Sequence, residues 1–185
     1  MAPQLATGTT MAPSTTYGDF PTDSAVLFGL GLGGFFDGIV FHQILQWHHM
    51  VSSWYPPTSL ENLRINTVWD GLFHSLTWLF VVAGIVLFWR RASSRQIYWS
   101  TELLLAGLLL GWGGFNLVEG VVDHALLGVH HVNETVPADR RLGWDLAFLG
   151  WGAVMVAAGW QLLRHGNAVR RGRQRRPGWN PEARP

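Results

Sequence analysis

The sequence contains no cysteine, and charged residues make up only 14% of its 185 residues. The missing thiols exclude disulfides, thiolate metal ligands and cysteine nucleophiles. Such a low charge content, combined with 48% hydrophobic residues, is unusual for a soluble protein. Lysine is also absent, so all thirteen basic residues are arginine. These absences place the chain among the membrane proteins.

Long uncharged segments dominate the middle of the chain. Residues 71–89, 103–118 and 146–163 contain no Asp, Glu, Lys or Arg, and each approaches the roughly 20 residues that cross a bilayer as a helix. Residues 24–50 begin with the uncharged run SAVLFGLGLGGFF and are also a candidate. In chain order they form helix one, and the three uncharged segments form helices two to four. A soluble four-helix bundle would show a polar stripe along every helix, which helices two to four lack.

The predicted fold class is therefore an all-α membrane protein, a bundle of four transmembrane helices arranged as two tandem hairpins of the same orientation. The N-terminal tail, residues 1–23, is predicted to be disordered. The transmembrane domain covers residues 24–165 and is followed by a basic tail at residues 166–185. The four helices are expected at about residues 24–50, 67–91, 101–127 and 142–165.

Arginine positions predict the orientation of the chain. Ten arginines follow helix two or helix four. The protein is expected in the cell inner membrane, and these arginines predict that both segments and both termini face the cytoplasm. The run RRGRQRR just after helix four is more typical of a topology signal that contacts lipid headgroups than of a nucleic-acid site. The ten residues are Arg90, Arg91, Arg95, Arg164, Arg170, Arg171, Arg173, Arg175, Arg176 and Arg184.

The chain contains an internal repeat. GIVFHQILQWHH begins at residue 38 and GVVDHALLGVHH at residue 120, which pairs His42 with His124 and the carboxylate of Asp37 with that of Glu119. GLGGF at 31–35 resembles GWGGF at 111–115, with a shift of two residues. A tandem duplication of a two-helix hairpin explains these matches, with a pseudo-twofold axis along the membrane normal.

Ionisable residues collect on the outer side of this predicted topology. Each costs about 2.5–3.5 kcal/mol in a bilayer on insertion scales, so a group of them must pair, line a wet cavity or bind an ion. Imidazoles and carboxylates without thiolates suit zinc, iron, manganese or cupric copper. The predicted ligands are His42, His49, His74, His124, His131, Asp70, Glu119 and Asp123; Asp37, His48, His130, Asp145 and Asn116 are predicted to surround and orient them.

The HH pairs need a departure from straight helices. Seven residues of α-helix separate His42 from His49 and rise about 10 Å, too far for both to bind one ion. Gly128 predicts a helix end before the second HH pair, so that the chain folds back over the site. The equivalent position in the first repeat is Gln46.

Three other functions are compatible with the same residues. His42 and His124 could be the axial ligands of a haem in a membrane cytochrome. The carboxylates and histidines could conduct ions or protons, with homo-oligomerisation through small-residue faces such as GLGLGG. A metal-activated water could hydrolyse a membrane-accessible substrate. The sequence leaves open whether the protein is an enzyme.

Three phrases carry a family resemblance: GFFDGIVFHQILQWHH, NTVWDGLFH and GWGGFNLVEGVVDHALLGVHHV. Together they resemble a bacterial family of small four-helix membrane proteins that is catalogued as a domain of unknown function. The resemblance covers roughly residues 24–165. It implies an integral membrane protein and no particular activity.

Overall fold

The structure, a computed structural model, describes residues 18–94 and 96–175. Within them the chain is all-helical and has four helices long and apolar enough to cross a membrane, which confirms the predicted fold class. Helices α1 and α3 each continue into a π-helical segment, a feature that occurs frequently at functional sites. The elements are α1 (Thr22–Phe36), the first π-helical segment (Asp37–Ile44), α2 (Leu60–Ser94), α3 (Thr101–Glu119), the second π-helical segment (Gly120–Leu126) and α4 (Ala138–Gln174).

Several element bounds differ from the predicted ones, and α2 and α4 begin earlier than expected, at Leu60 and Ala138. The first helix ends at Ile44, before the HH pair, because the chain reverses there. α4 extends to Gln174, so the first part of the expected basic tail is helical. In the expected N-terminal tail, Phe20 is buried against Leu103 and Leu163, while residues 1–17 lie outside the described part.

α1 and α3 form the centre of the bundle, with α2 packed on α1 and α4 packed on α3. The two central helices cross at Gly29 and Gly111, where a Cβ on Gly111 would overlap the carbonyl oxygen of Val26. Small residues of this kind let membrane helices approach closely. As a result, 44% and 39% of the apolar windows of the first and third spans are buried, against 17% for each outer span.

The contacts between α1 and α2 recur between α3 and α4. Gly84 of α2 lies against the carbonyl oxygen of Ser24, and Gly159 of α4 lies against the carbonyl oxygen of Ala106. In both pairs a Cβ on the glycine would come within 3.2 Å of that oxygen. The two halves therefore use the same close approach at matching positions.

The glycines of α1 and α3 keep the register of the histidine alignment. Gly31 lies against the carbonyl oxygen of Thr77, and Gly113 against the carbonyl oxygen of Gly152. These matching contacts pair Gly31 with Gly113, without the two-residue shift that the GLGGF and GWGGF motifs indicate. The alignment of GLGGF with GWGGF, which is shifted by two residues, therefore does not match the packing contacts.

The two ends of the bundle differ in chemistry. At the end where the described part of the chain begins and finishes, which we call the terminal end, Arg170 pairs with Asp19, and Arg91 lies 2.5 Å from Asp23. At the opposite end, the loop after the first π-helical segment bonds to the loop after the second one. There the amide of Ser53 donates to the carbonyl oxygen of Val129 at 2.9 Å. This second end holds all the histidines except His165.

Candidate metal centre

Both π-helical segments end in a chain reversal. Gln46 has φ +49° and Gly128 has φ +57°, and both angles lie in the left-handed region. Glycine adopts this conformation freely, whereas another residue pays about 1–2 kcal/mol. The reversal expected at Gly128 is thus matched at Gln46 without a glycine. Each turn brings the first histidine of the following HH pair back over the end of the bundle.

Six buried side chains meet below these turns, and we call them the inner cluster. They are four imidazoles and two carboxylates, none more than 4% exposed: His42, His48, His124, His130, Asp37 and Glu119. Oδ2 of Asp37 lies 3.0 Å from Nε2 of His42 and 3.8 Å from Nε2 of His48. Oε1 of Glu119 lies 3.7 Å from Nε2 of His130.

The proton positions on two of the imidazoles follow from their partners. Nδ1 of His48 donates to the carbonyl oxygen of Val132 at 2.8 Å, and Nδ1 of His130 donates to that of Met50 at 3.0 Å. Because a carbonyl oxygen only accepts, Nδ1 carries the proton and the neutral ring has a bare lone pair at Nε2. Both Nε2 atoms are buried and have no hydrogen-bond partner among the described residues.

His42 is held in the same way by a carboxylate. Its Nδ1 donates to Oδ1 of Asp70 at 2.9 Å, and the two oxygens of Asp70 also accept from Nδ1 of His49 at 2.7 Å and from the amide of Met50 at 2.8 Å. Nε2 of His42 faces Oδ2 of Asp37 at 3.0 Å without the alignment of a hydrogen bond. Two lone pairs at this distance need a proton or a cation between them.

The second half repeats part of this arrangement around Asp145. Its carboxylate accepts from Nδ1 of His131 at 2.7 Å and from the amide of Val132 at 3.0 Å. Nδ1 of His124 lies 3.6 Å from Oδ1 of Asp145, which is beyond hydrogen-bond distance. Both ring nitrogens of His124 are buried without a partner in the described part of the chain.

The remaining residues of the predicted site lie around the inner cluster. His49 and His131 contact Asp70 and Asp145 and are partly exposed, with side chains 16% and 31% accessible. Asp123 is half-buried on the second π-helical segment and interacts electrostatically with Asp37 and Glu119.

Two further predicted residues lie between helices. The ring of His74 stacks on that of Phe35, with centroids 6.3 Å apart, and its Nε2 lies against Gly38. At the corresponding place in the second half, Leu149 lies against Gly120. Asn116 is buried and packs against Gly152, so its surroundings are those of a helix contact.

The sequence analysis assigns His48, His130 and Asp37 to the surroundings of the predicted site. The structure brings all three into the inner cluster. The available signal was Gly128, since a left-handed glycine after a helix indicates a reversal. The matching reversal at Gln46 had no such signal.

At His130, burial also favours the protonation state that a metal ligand needs. Outside the membrane-spanning helices, burial lowers the pKa of His130, and the neighbouring imidazoles of His48 and His124 lower it further. A lowered pKa keeps the ring neutral at physiological pH. A neutral imidazole is the form that coordinates a metal.

The spacing of the ligand atoms suits a metal ion. In two groups of three residues the ligand atoms all lie within 4.8 Å of one another: His42, His48 and His130, and Glu119, His124 and His130. Bonds of about 2.0–2.2 Å place two ligands of one ion roughly 3–4 Å apart. The inner cluster therefore contains buried groups that could hold a metal.

Comparison with known proteins supports the membrane assignment. A family model described as predicted membrane protein (DUF2243) matches residues 24–166. The chain belongs to this family. The match includes all of the inner cluster, so this DUF2243 protein carries its histidines and carboxylates within the family's own region. No curated protein and no solved structure matches the chain.

Proposed function

We propose that this multi-pass membrane protein binds a transition metal, zinc, iron or copper, at the inner cluster. The donor set consists of imidazole nitrogens and carboxylate oxygens, and the chain has no cysteine. Such ligands suit divalent first-row metals and disfavour cuprous sites rich in sulfur. Manganese is compatible with the carboxylates but is less suited to four imidazoles.

One observation carries this proposal. The Nδ1 atoms of His42, His48 and His130 have hydrogen-bond partners, while their Nε2 atoms have none within residues 18–94 and 96–175 and converge on the carboxylates. Leaving a buried polar group unsatisfied costs about 1–3 kcal/mol. A cation at the inner cluster satisfies several of these groups together, and the Nδ1 contacts orient the rings for it.

The proposal gives each polar residue a role. The six members of the inner cluster coordinate the metal. Asp70 orients the coordinating ring of His42, and Asp70 and Asp145 are each held by the second histidine of an HH pair. Asp123, which is half-buried and interacts electrostatically with Asp37 and Glu119, serves the entry of cations. His74 and Asn116 belong to helix packing.

Orientation and origin of the chain are part of the proposal. The arginines of the terminal end support cytoplasmic termini in the inner membrane, which puts the inner cluster at the extracytoplasmic face. The recurring contacts of the two halves support an origin by tandem duplication. Because the chain has no natural cysteine, the orientation can be tested directly with the single-cysteine variants Thr135→Cys and Ser94→Cys. A membrane-impermeant maleimide should label the first and not the second in intact cells, and the reverse would refute this orientation.

The geometry favours an ion over a haem. The rings of His48 and His130 lie between His42 and His124, with successive centroid distances of 4.5, 4.4 and 4.8 Å along this row. A porphyrin ligated by His42 and His124 would have to occupy that space. An optical spectrum of the purified protein tests this point, because a Soret band requires a haem.

Metal analysis of detergent-purified protein tests the function. We expect bound metal in the natural protein and less in His42→Ala and His124→Ala. His165→Ala is the matched control, since that side chain is 65% exposed and pairs with Glu102 at the opposite end. Equal metal content in all variants would refute the site. Three further points stay predictions: that the protein does not bind nucleic acid, that it forms a homo-oligomer, and that it conducts ions. Metal flux into liposomes would separate ion conduction from metal binding.

A further inference from the structure

We infer that the inner cluster holds two metal ions, one for each half of the molecule. This inference rests on the proposed metal-binding function and adds the number of ions and the kind of ligand that they share. It follows from the orientation of the two central imidazoles.

The rings of His48 and His130 are parallel. Their planes differ by 2° and their centroids lie 4.4 Å apart. Two imidazoles at that distance cannot lie side by side in one plane without overlap, so one ring lies above the other. The lone pair of Nε2 points outward in the plane of its ring, and a bound metal lies close to that plane. One ion cannot lie in two separate parallel planes. Although the ligand atoms of His48 and His130 lie within 4.8 Å of each other, the two rings therefore coordinate different ions.

The two rings also point toward different partners. Nδ1 of His48 donates to Val132 of the second half, and Nδ1 of His130 donates to Met50 of the first half. Each ring thus reaches across the axis with Nδ1 and turns Nε2 back toward its own half. There Nε2 of His48 meets Asp37 at 3.8 Å, and Nε2 of His130 meets Glu119 at 3.7 Å.

The remaining donors complete two sets of three. The first half-site consists of Asp37, His42 and His48, where Asp37 lies 3.0 and 3.8 Å from the two Nε2 atoms. The second half-site consists of Glu119, His124 and His130, whose ligand atoms lie within 4.8 Å of one another. Every member of both sets is buried, and none has a hydrogen-bond partner at its ligand atom in the described residues.

Three protein ligands leave each ion with at least one open position, because even tetrahedral ions take four ligands. The half-sites are adjacent, since His130 also lies within 4.8 Å of His42 and His48 at its ligand atom. Ions about 3.5–4 Å apart share small ligands in two-metal sites. We therefore assign the open positions to a small oxygen ligand, water or hydroxide, between the two ions.

Copper titration of the metal-free protein tests the inference. We expect two Cu²⁺ per chain and an electron paramagnetic resonance spectrum broadened by the interaction of two neighbouring ions. His48→Ala and His130→Ala should each retain one Cu²⁺ with the sharp spectrum of an isolated ion. His165→Ala should keep both ions and the broadened spectrum.

The outcomes separate the two proposals. One Cu²⁺ per natural chain with an isolated-ion spectrum would overturn the two-ion inference and leave the metal-binding function intact. No bound Cu²⁺, zinc or iron would overturn both. If circular dichroism shows that a variant is unfolded, the stoichiometry and spectrum of the natural protein decide by themselves.

Discussion

Replacing Asp70 by Asn should weaken metal binding more than the same change at Asp145. Asp70 accepts from Nδ1 of His42 at 2.9 Å and from Nδ1 of His49 at 2.7 Å. Asn has the same shape but only one acceptor oxygen, so its NH2 group would face one of these N–H donors. At Asp145 the corresponding ring, His124, is 3.6 Å away and forms no hydrogen bond to lose.

The magnitude follows from the contact that is lost. A hydrogen bond to a charged group contributes about 1.5–3 kcal/mol. Removing a carboxylate that orients a metal-bound histidine typically weakens metal affinity about 10–100-fold. We therefore expect a 10–100-fold loss for Asp70→Asn. For Asp145→Asn we expect less than a tenfold loss, because its bonds go to His131 and a backbone amide.

Competition with a chromogenic chelator in detergent measures both affinities. Asp139→Asn is a suitable control, since Asp139 is exposed at the same end of the bundle in the first turn of α4. Thermal unfolding of the metal-free variants shows whether the effect is on binding or on folding. An unchanged affinity in Asp70→Asn, or a larger loss in Asp145→Asn, would contradict the assigned role of Asp70.

Three further predictions concern the turns, the entry path and the helix crossing. Gln46→Gly should raise the stability of the metal-free protein by about 0.5–1 kcal/mol in thermal unfolding, because glycine adopts the left-handed conformation without strain. Gly128→Ala should lower the stability by about 1 kcal/mol, and shifts of opposite sign would contradict the observed φ angles. Asp123→Asn should slow metal loading in stopped-flow experiments while the final metal content stays the same, and a lower content would instead make Asp123 a ligand. Gly111→Val should prevent the close approach of α1 and α3 and yield aggregated protein without metal on gel filtration. Gly114→Ala should behave as the natural protein, because a Cβ at Gly114 meets only open space.

Helix α2 and the charge-poor runs illustrate what could be predicted without a structure. A run such as residues 71–89 has no charged side chain, and a bilayer leaves such a segment few alternatives to a helix, since every backbone group must be bonded within it. The bounds were less accurate, because the helices extend into solvent or change type at their ends. α4 continues to Gln174 beyond its apolar part.

The histidine positions illustrate the opposite case. A straight α-helix puts His42 and His49 on one face and leaves His48 on another, and this periodicity led to His49 and His131 as predicted ligands. The π-helical segment and the reversal at Gln46 change both the spacing and the direction of the chain. A local sequence without glycine carries no signal for that reversal, which packing of the two loops against each other stabilises.

The sequence by itself determined the membrane helices and the end of the bundle where ionisable residues collect. The cost of placing those residues in lipid required that they meet, whatever the details. Only the tertiary structure decided which nitrogen of each imidazole faces the centre. For His48 and His130 that choice depends on carbonyl oxygens from the other half of the chain, and for His42 it depends on Asp70 of the neighbouring helix. These partners are distant in the chain and come together only when the helices and loops pack.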